Sequence, residues 1–189
     1  MLSALVLAAV PPRAEAADLP FGVNCVLEAM TVEEREIALF LVVDELVGEE
    51  SNNRKRASSP RQMEIDRLLQ VAQDRCLDRW AWTESKSRGA LAWARSAIYR
   101  EANAQAISDL GRDPAMIDEF VTLHRSEISA GPDAAALWLP ALRKHLAELG
   151  WGDRNARAVG FAGLYFTETI TQGTLARNFA RGLFRADGS

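Results

Sequence analysis

Apolar residues recur every three or four positions along most of this 189-residue chain, and that spacing constrains its fold more than any other feature. Such a repeat places the apolar side chains on one face of an α-helix. Thr31 and Glu34 fit a capping box at the start of one repeat, and Thr83 is a cap for another. Three glycines mark helix ends: Gly48, Gly111 and Gly150. The sequence therefore predicts an all-α fold, a single bundle of five or six helices.

The apolar repeats and their caps also give the bounds of the predicted helices. A short first turn at 24–30 precedes helices over 31–48, 61–80, 84–110, 113–131, 132–150 and 153–185. The uninterrupted apolar run 37–43 predicts that the first long helix lies deep in the core. Residues 164–171 are rich in β-formers and partly alternate, which leaves a strand open there. Helix is favoured because both flanks are helix-forming and no partner strand is visible.

The N-terminus has the pattern of an export signal. Residues 2–10 form an apolar run that is too short to span a bilayer, and Ala14 and Ala16 supply the small residues that a signal peptidase recognises. The pattern predicts a signal peptide over 1–16, a helical domain over 17–185 and a frayed terminus over 186–189. We therefore expect an exported protein, periplasmic and without a transmembrane span. A short apolar helix docked on the core is the alternative.

The two cysteines, Cys25 and Cys76, predict one disulfide. An even number of cysteines in an exported chain favours cross-linking. The predicted helices 31–48 and 61–80 are joined by a short polar segment, so they are expected to be antiparallel neighbours. Cys25 precedes the first of these helices and Cys76 lies near the end of the second. Both sulfurs should therefore lie at the same end of one helical hairpin.

Charge argues against nucleic acid as a partner. The formal net charge is −4 and the isoelectric point is about 5.3, whereas a general nucleic-acid binder is normally basic. Residues 17–53 carry nine acids and one base. This segment either packs beside a basic part of the same fold or faces a partner of its own.

Sequence motifs for cofactors and catalysis are missing, and we predict no cofactor. The chain has no phosphate-binding loop, no nucleophile elbow and no CxxC pair. Two pairs place an imidazole and a carboxylate one helical turn apart: His124 with Glu127, and His145 with Glu148. Two such pairs on adjacent helices could form a metal site. Because acids are frequent in the chain, ordinary surface pairs are the favoured interpretation.

Arg177, Arg181 and Arg185 are four positions apart and predict a basic stripe near the end of the last helix. Such cations favour a helix C-terminus and remain in water. The alternative is contact with an anionic partner, either anionic lipid at a membrane surface or the acidic segment 28–50.

Together these features favour a non-catalytic binding or structural protein of the bacterial cell envelope. Its partner would be an envelope protein or a small ligand, which the sequence does not identify. One alternative is a carrier of a small ligand or lipid that uses a cavity between helices. A second is a metal-dependent enzyme that uses the two His–Glu pairs.

Overall fold

The computed structural model describes residues 20, 22–48, 59–128, 133–152 and 156–184, and these residues form seven α-helices without a strand. The predicted all-α fold is confirmed. The predicted signal peptide 1–16 and terminus 186–189 lie outside the described residues. The helices are α1 (Cys25–Ala29), α2 (Val32–Gly48), α3 (Pro60–Leu77), α4 (Glu84–Asp109), α5 (Ala115–Leu123), α6 (Ala134–Glu148) and α7 (Ala156–Arg181).

The predicted number of five or six helices is too low, because α1 was expected to be only a turn. Its five residues give a weak periodic signal, but Val26 is fully buried and Cys25 is cross-linked. Three predicted ends are also wrong. The helix predicted to reach residue 80 ends at Leu77, the one predicted to reach 131 ends at Leu123, and the one predicted to reach 185 ends at Arg181. The region 164–171 lies inside α7, so its helical prediction is confirmed and the strand is excluded.

Helix-start signals read from the sequence act as predicted. The Thr31 amide donates to Glu34 Oε2 at 2.9 Å, and the Glu34 amide donates to Thr31 Oγ1 at 3.1 Å, which completes the capping box. Thr83 Oγ1 accepts the amide of Lys86 at the start of α4. Gly111 closes α4 with a φ of 72°, a conformation that favours glycine.

The predicted disulfide is present between Cys25 and Cys76. The two Cα atoms are 5.8 Å apart, and both side chains are buried. The bond joins α1 to the last turn of α3, as the antiparallel arrangement of α2 and α3 predicted.

An antiparallel pair, α4 and α7, forms the centre of the bundle. Ser85 contacts Phe184 near one end of the pair, and Arg100 contacts Tyr165 farther along it. Around one half of this pair, α1, α2 and α3 pack with the disulfide in a first core cluster. Around the other half, α5 and α6 form a second cluster. Leu46 of α2 packs against both clusters.

The apolar run in α2 is not deep in the core, contrary to the prediction. Ala38 and Val42 are fully buried, but Phe40 is 68% exposed and Ile37 is 40% exposed. Because α2 packs against α3 and α4, one side of the helix remains in water whatever residues it carries. Across the described ranges, no helix has the length and apolar character that crossing a membrane requires.

Candidate functional site

Both histidines lie against the same aromatic ring. Phe120 is buried in α5, and the rings of His124 and His145 approach it with centroid separations of 4.7 and 5.2 Å. Trp138 of α6 completes the group, 4.8 Å from His124. The two imidazoles are therefore walls of an aromatic cluster between α5 and α6.

The His–Glu pairs do not converge into a metal centre. His124 Nδ1 lies 3.7 Å from Glu127 Oε2, so this pair is in contact within the hydrogen-bonded turn that follows α5. His145 and Glu148 occupy the last turn of α6. In the part of the chain that the structure describes, no three His, Cys, Asp or Glu side chains are grouped to hold a metal ion. The geometry therefore gives no support to a metal-dependent enzyme.

Two members of the predicted arginine stripe lie within the described residues. Arg177 and Arg181 are exposed on α7, but the helix ends at Arg181, and Arg185 lies outside the described residues. Two acids of segment 28–50 pair with arginines of α3 rather than with this stripe. The exposed guanidinium groups remain available to an external anionic partner.

A polar network joins α4, α5 and α7. Arg100 Nη2 donates to Asp118 Oδ1 and to the Tyr165 hydroxyl, both at 2.9 Å. That hydroxyl donates to Asp118 Oδ2 at 2.8 Å. Burial raises the pKa of Tyr165 above its ordinary value of 10, so the hydroxyl remains a donor at neutral pH. Because these bonds join side chains of three helices, the network acts as a clamp between helices.

A second polar contact lies between α4 and α7. Ser96 Oγ donates to Glu168 Oε2, and burial raises the pKa of the Glu168 carboxyl. Sequence reasoning selected neither this contact nor the Arg100 network. Their partners are 18 to 72 positions apart in the chain, and only the packing of α4 with α5 and α7 brings them together.

An open groove of about 510 Å³ lies between α6 and α7. Its lining is mostly apolar or small, and Arg143 is the only charged residue among the described residues that form it. The lining residues are Leu139, Arg143, Ala147, Trp151, Gly152, Ala156, Val159, Gly160, Gly163, Leu164 and Thr167.

Small residues of α7 form one wall of the groove. Ala156, Gly160, Gly163 and Thr167 are spaced four, three and four positions apart, which places them on one helix face. A Cβ on Gly160 would meet no heavy atom within 4 Å, and a Cβ on Gly163 would meet only Leu139 Cδ2, at 3.4 Å. This open space lets another group approach the helix backbone closely.

Two further features define the groove. Trp151 is buried, and the Arg112 guanidinium carbon lies 5.7 Å from the centroid of its ring. Arg143 is exposed. The sequence analysis missed this site, although the spacing of Gly160 and Gly163 was a visible signal of a small-residue helix face.

Comparison with protein-family models, with curated proteins and with solved structures finds no match to this chain. The function must therefore be argued from the groove, the disulfide and the surface.

Proposed function

We propose that the protein is an exported, non-catalytic binding protein of the bacterial cell envelope, and that the groove between α6 and α7 is its binding surface. The groove is the observation that carries the binding role. It combines mostly apolar walls, open space over Gly160, and one cation, Arg143, among its described lining residues. A site of this composition gains affinity from apolar burial and orientation from a single charge.

Two features support the proposed compartment. Disulfides persist in oxidising compartments such as the periplasm, and Cys25 is joined to Cys76. The segment 1–16 has the composition of a signal peptide. N-terminal sequencing of the protein from the periplasm of its native host should give a chain that starts at Ala17. A chain that starts at Met1 in the cytoplasmic fraction would overturn export.

The shape of the groove favours an apolar segment of another protein as the occupant. Two helices form its walls, and it is open along one side, as in the grooves that accept an amphipathic helix. The stretch of α7 from Ala156 to Thr167 is about 16 Å long, which matches roughly three turns of a docked helix.

A small-ligand or lipid carrier is the second candidate, and the size of the groove favours it. Its volume of about 510 Å³ lies within the range of about 300–1,000 Å³ that is usual for ligand pockets. The open side leaves a ligand more exposed to water than an enclosed pocket would. A bound protein segment therefore remains the preferred occupant.

Site-specific photo-crosslinking in the native host tests the binding role. Leu164 lines the groove and is 46% exposed, whereas Leu77 is 37% exposed at the end of α3, which packs in the other half of the bundle, and serves as the matched control. A benzophenone amino acid at position 164 should give a discrete adduct that Gly160→Leu abolishes, and position 77 should not give that adduct. A lipid-sized adduct would favour the carrier, and no adduct at position 164 would overturn the binding role.

The arginine stripe adds a peripheral contact with anionic lipid to the proposal. Arg177 and Arg181 are exposed on one side of α7, where the positive charge would meet a membrane surface. Co-sedimentation with phosphatidylglycerol vesicles should exceed that with phosphatidylcholine vesicles. Equal binding by an Arg177→Ala/Arg181→Ala/Arg185→Ala variant would dismiss the contact.

A further inference from the structure

Three apolar side chains on the water-facing side of α2 are exposed. Val32 is 77% exposed, Ile37 is 40% exposed and Phe40 is 68% exposed. Phe40 and Ile37 are three positions apart and therefore adjacent on the helix surface. Burying the exposed ring of Phe40 against a partner would be favourable, because it removes apolar surface from water. Large aromatic side chains are typical anchors of protein interfaces.

Two acids accompany these apolar residues. Glu33 and Glu36 are exposed on the same side of α2, and Glu36 lies one helical turn before Phe40. Neither acid forms an ion pair with a described residue, whereas Glu34 is held by Arg75. Both acids project from α2 in nearly the same direction as Phe40, so the exposed surface combines an aromatic side chain with two carboxylates beside it.

The groove between α6 and α7 has the complementary character. It is concave and mostly apolar where the α2 surface is convex and presents Phe40 between two carboxylates, and its one charged lining residue among the described residues is the cation Arg143. Gly160 and Gly163 carry no side chain, and a Cβ on Gly160 would meet no heavy atom within 4 Å, so this wall of the groove leaves room for an incoming side chain. The exposed stretch of α2 from Val32 to Phe40 is about 12 Å long, which the stretch of about 16 Å on α7 accommodates.

We infer that the groove receives α2 of a second copy of this chain, with Phe40 as the anchor over Gly160 and Gly163 and with Arg143 facing the acids of α2. This inference rests on the proposed binding role of the groove and names its partner. The charges and the shapes of the two surfaces both favour this occupant. Such complementarity sets partner choice and register as well as affinity.

The two surfaces lie on different helices, so the contact is head-to-tail. One copy offers its α2 while its own groove remains free for a third copy. Contacts of this type generate rings or open chains of molecules rather than closed dimers. The contact involves one helix in a short groove, which is at the small end of specific interfaces, so assembly is expected at high micromolar concentration.

Analytical ultracentrifugation of the mature, oxidised protein tests the inference. The wild-type protein should sediment at twice the monomer mass or more as its concentration rises. Phe40→Asp and Gly160→Leu should each weaken assembly about tenfold or more, because one removes the anchor and the other fills the groove. Both positions are exposed, and leucine suits a helix better than glycine, so both variants should fold.

The matched control Met63→Asp changes an apolar residue that is 62% exposed on α3, and it should assemble as the wild type does.

A mixture of the two variants gives the sharpest result. Phe40→Asp retains an intact groove and Gly160→Leu retains an intact α2 surface, so the mixture should form a one-to-one dimer that does not grow further. Wild-type protein that stays monomeric at high micromolar concentration would overturn the inference, as would a mixture that stays monomeric. If the wild type is monomeric while position 164 still cross-links to a different protein, the second copy is wrong and the binding role stands. If position 164 gives no adduct at all, both fail.

Discussion

The ring of Phe184 lies so close to Gly89 that a Cβ at this glycine would come within 2.2 Å of the ring atom Cε2. Ser85 Oγ also donates to the Phe184 carbonyl oxygen at 2.6 Å. The segment that follows α7 is therefore held on the first turns of α4 by one ring and one hydrogen bond. Gly89 lies inside α4 and has no positive φ, so its backbone conformation does not require glycine. Glycine is needed at position 89 because a side chain there would collide with the ring of Phe184.

Gly89→Ala should displace Phe184 and lower the free energy of unfolding by about 1 kcal/mol, since the overpacking outweighs the better helix propensity of alanine. Gly160→Ala is the matched control, because its Cβ would meet no atom within 4 Å. That variant should raise the free energy of unfolding by up to about 1 kcal/mol. Urea unfolding measures both. If Gly89→Ala stabilises as much as Gly160→Ala does, the contact with Phe184 is not the reason for glycine at position 89.

Glu34 links the start of α2 to the end of α3 and should make the fold sensitive to acid. Arg75 donates to its two carboxylate oxygens at 2.6 and 2.7 Å, and these bonds with the Thr31 amide lower its pKa from 4.5 to about 2. Because the pKa of Glu34 is lower in the folded than in the unfolded chain, the ionised carboxylate stabilises the fold at pH values above about 4.5. This stabilisation is lost as the pH falls from about 4.5 to about 2. Glu34→Gln keeps an acceptor for the helix cap but breaks the ion pair. It should cost about 1 kcal/mol at pH 7 and reduce the loss of stability in acid.

The matched control for Glu34 is Glu64, which pairs with Arg67 three positions away on the surface of α3. Glu64→Gln should change the free energy of unfolding far less than Glu34→Gln does, because water screens an exposed pair. Urea unfolding at a series of pH values compares the two variants. Equal costs would mean that the tertiary pair with Arg75 contributes no more than a local surface pair.

The two tyrosines of the chain should resist ionisation in the folded state. Burial raises the pKa of Tyr99 to about 12, and it raises that of Tyr165 further. Because each phenol has a higher pKa in the folded chain than in the unfolded chain, its contribution to stability is fully present below the unfolded pKa of about 10. That contribution is lost as the pH rises through the pKa of the folded state. Tyrosinate absorbance of the folded protein should stay low at about pH 10.5, whereas that of the chain in urea should rise.

Tyr99→Phe and Tyr165→Phe assign the two steps of this titration, because each variant retains one phenol. A folded protein with half of its tyrosinate signal formed at about pH 10 would contradict the burial of both hydroxyl groups. Tyr165→Phe should also cost about 1–2 kcal/mol, because the Arg100 network loses its bridging hydroxyl.

Local patterns in the sequence predict the elements that local forces determine. The capping box at Thr31, the cap at Thr83 and the turn at Gly111 depend on groups within a few residues, and each is present. The disulfide was also predictable, because the helix order and one short connection place Cys25 beside Cys76.

The parts that the sequence did not predict depend on which side of a helix meets a neighbour. The run 37–43 is apolar all round, so its pattern carries no information about which side faces water, and the exposure of Phe40 appears only once α3 and α4 are in place. The groove was missed for the same reason. Gly160 and Gly163 share a face by their spacing, but only the packing of α6 beside α7 shows that this face lines an open groove.

Glu168 should be a site where neutralisation stabilises the fold. Burial raises the pKa of its carboxyl above 4.5, so its contribution to stability is complete below the unfolded value and is lost as the pH rises through the folded value. Glu168→Gln should therefore raise the free energy of unfolding at pH 7 and have a smaller effect near pH 4. The exposed Glu119 of α5 is the control, and Glu119→Gln should change stability by less than about 0.5 kcal/mol. A loss of stability in Glu168→Gln at pH 7 would show that the charged form is favoured.

The disulfide should supply a large part of the stability of the fold. It connects residues separated by 51 positions, and in the chain-entropy model closing such a loop contributes about 4 kcal/mol. That is a substantial part of the roughly 5–15 kcal/mol typical of a domain. Cys25→Ala/Cys76→Ala should lower the free energy of unfolding by about this amount in urea.

Comparison of this double variant with the reduced wild-type protein separates the effect of the bond from that of the sulfur atoms. Val23 and Val26 are fully buried beside Cys25, so α1 should remain docked without the bond, and the loss should arise mainly in the unfolded chain. Circular dichroism of both forms should therefore match that of the oxidised protein under native conditions, while their urea midpoints fall together. A loss of less than about 1 kcal/mol would show that the unfolded chain already keeps α1 and α3 together, and loss of helix signal before unfolding would show that α1 depends on the bond for its packing.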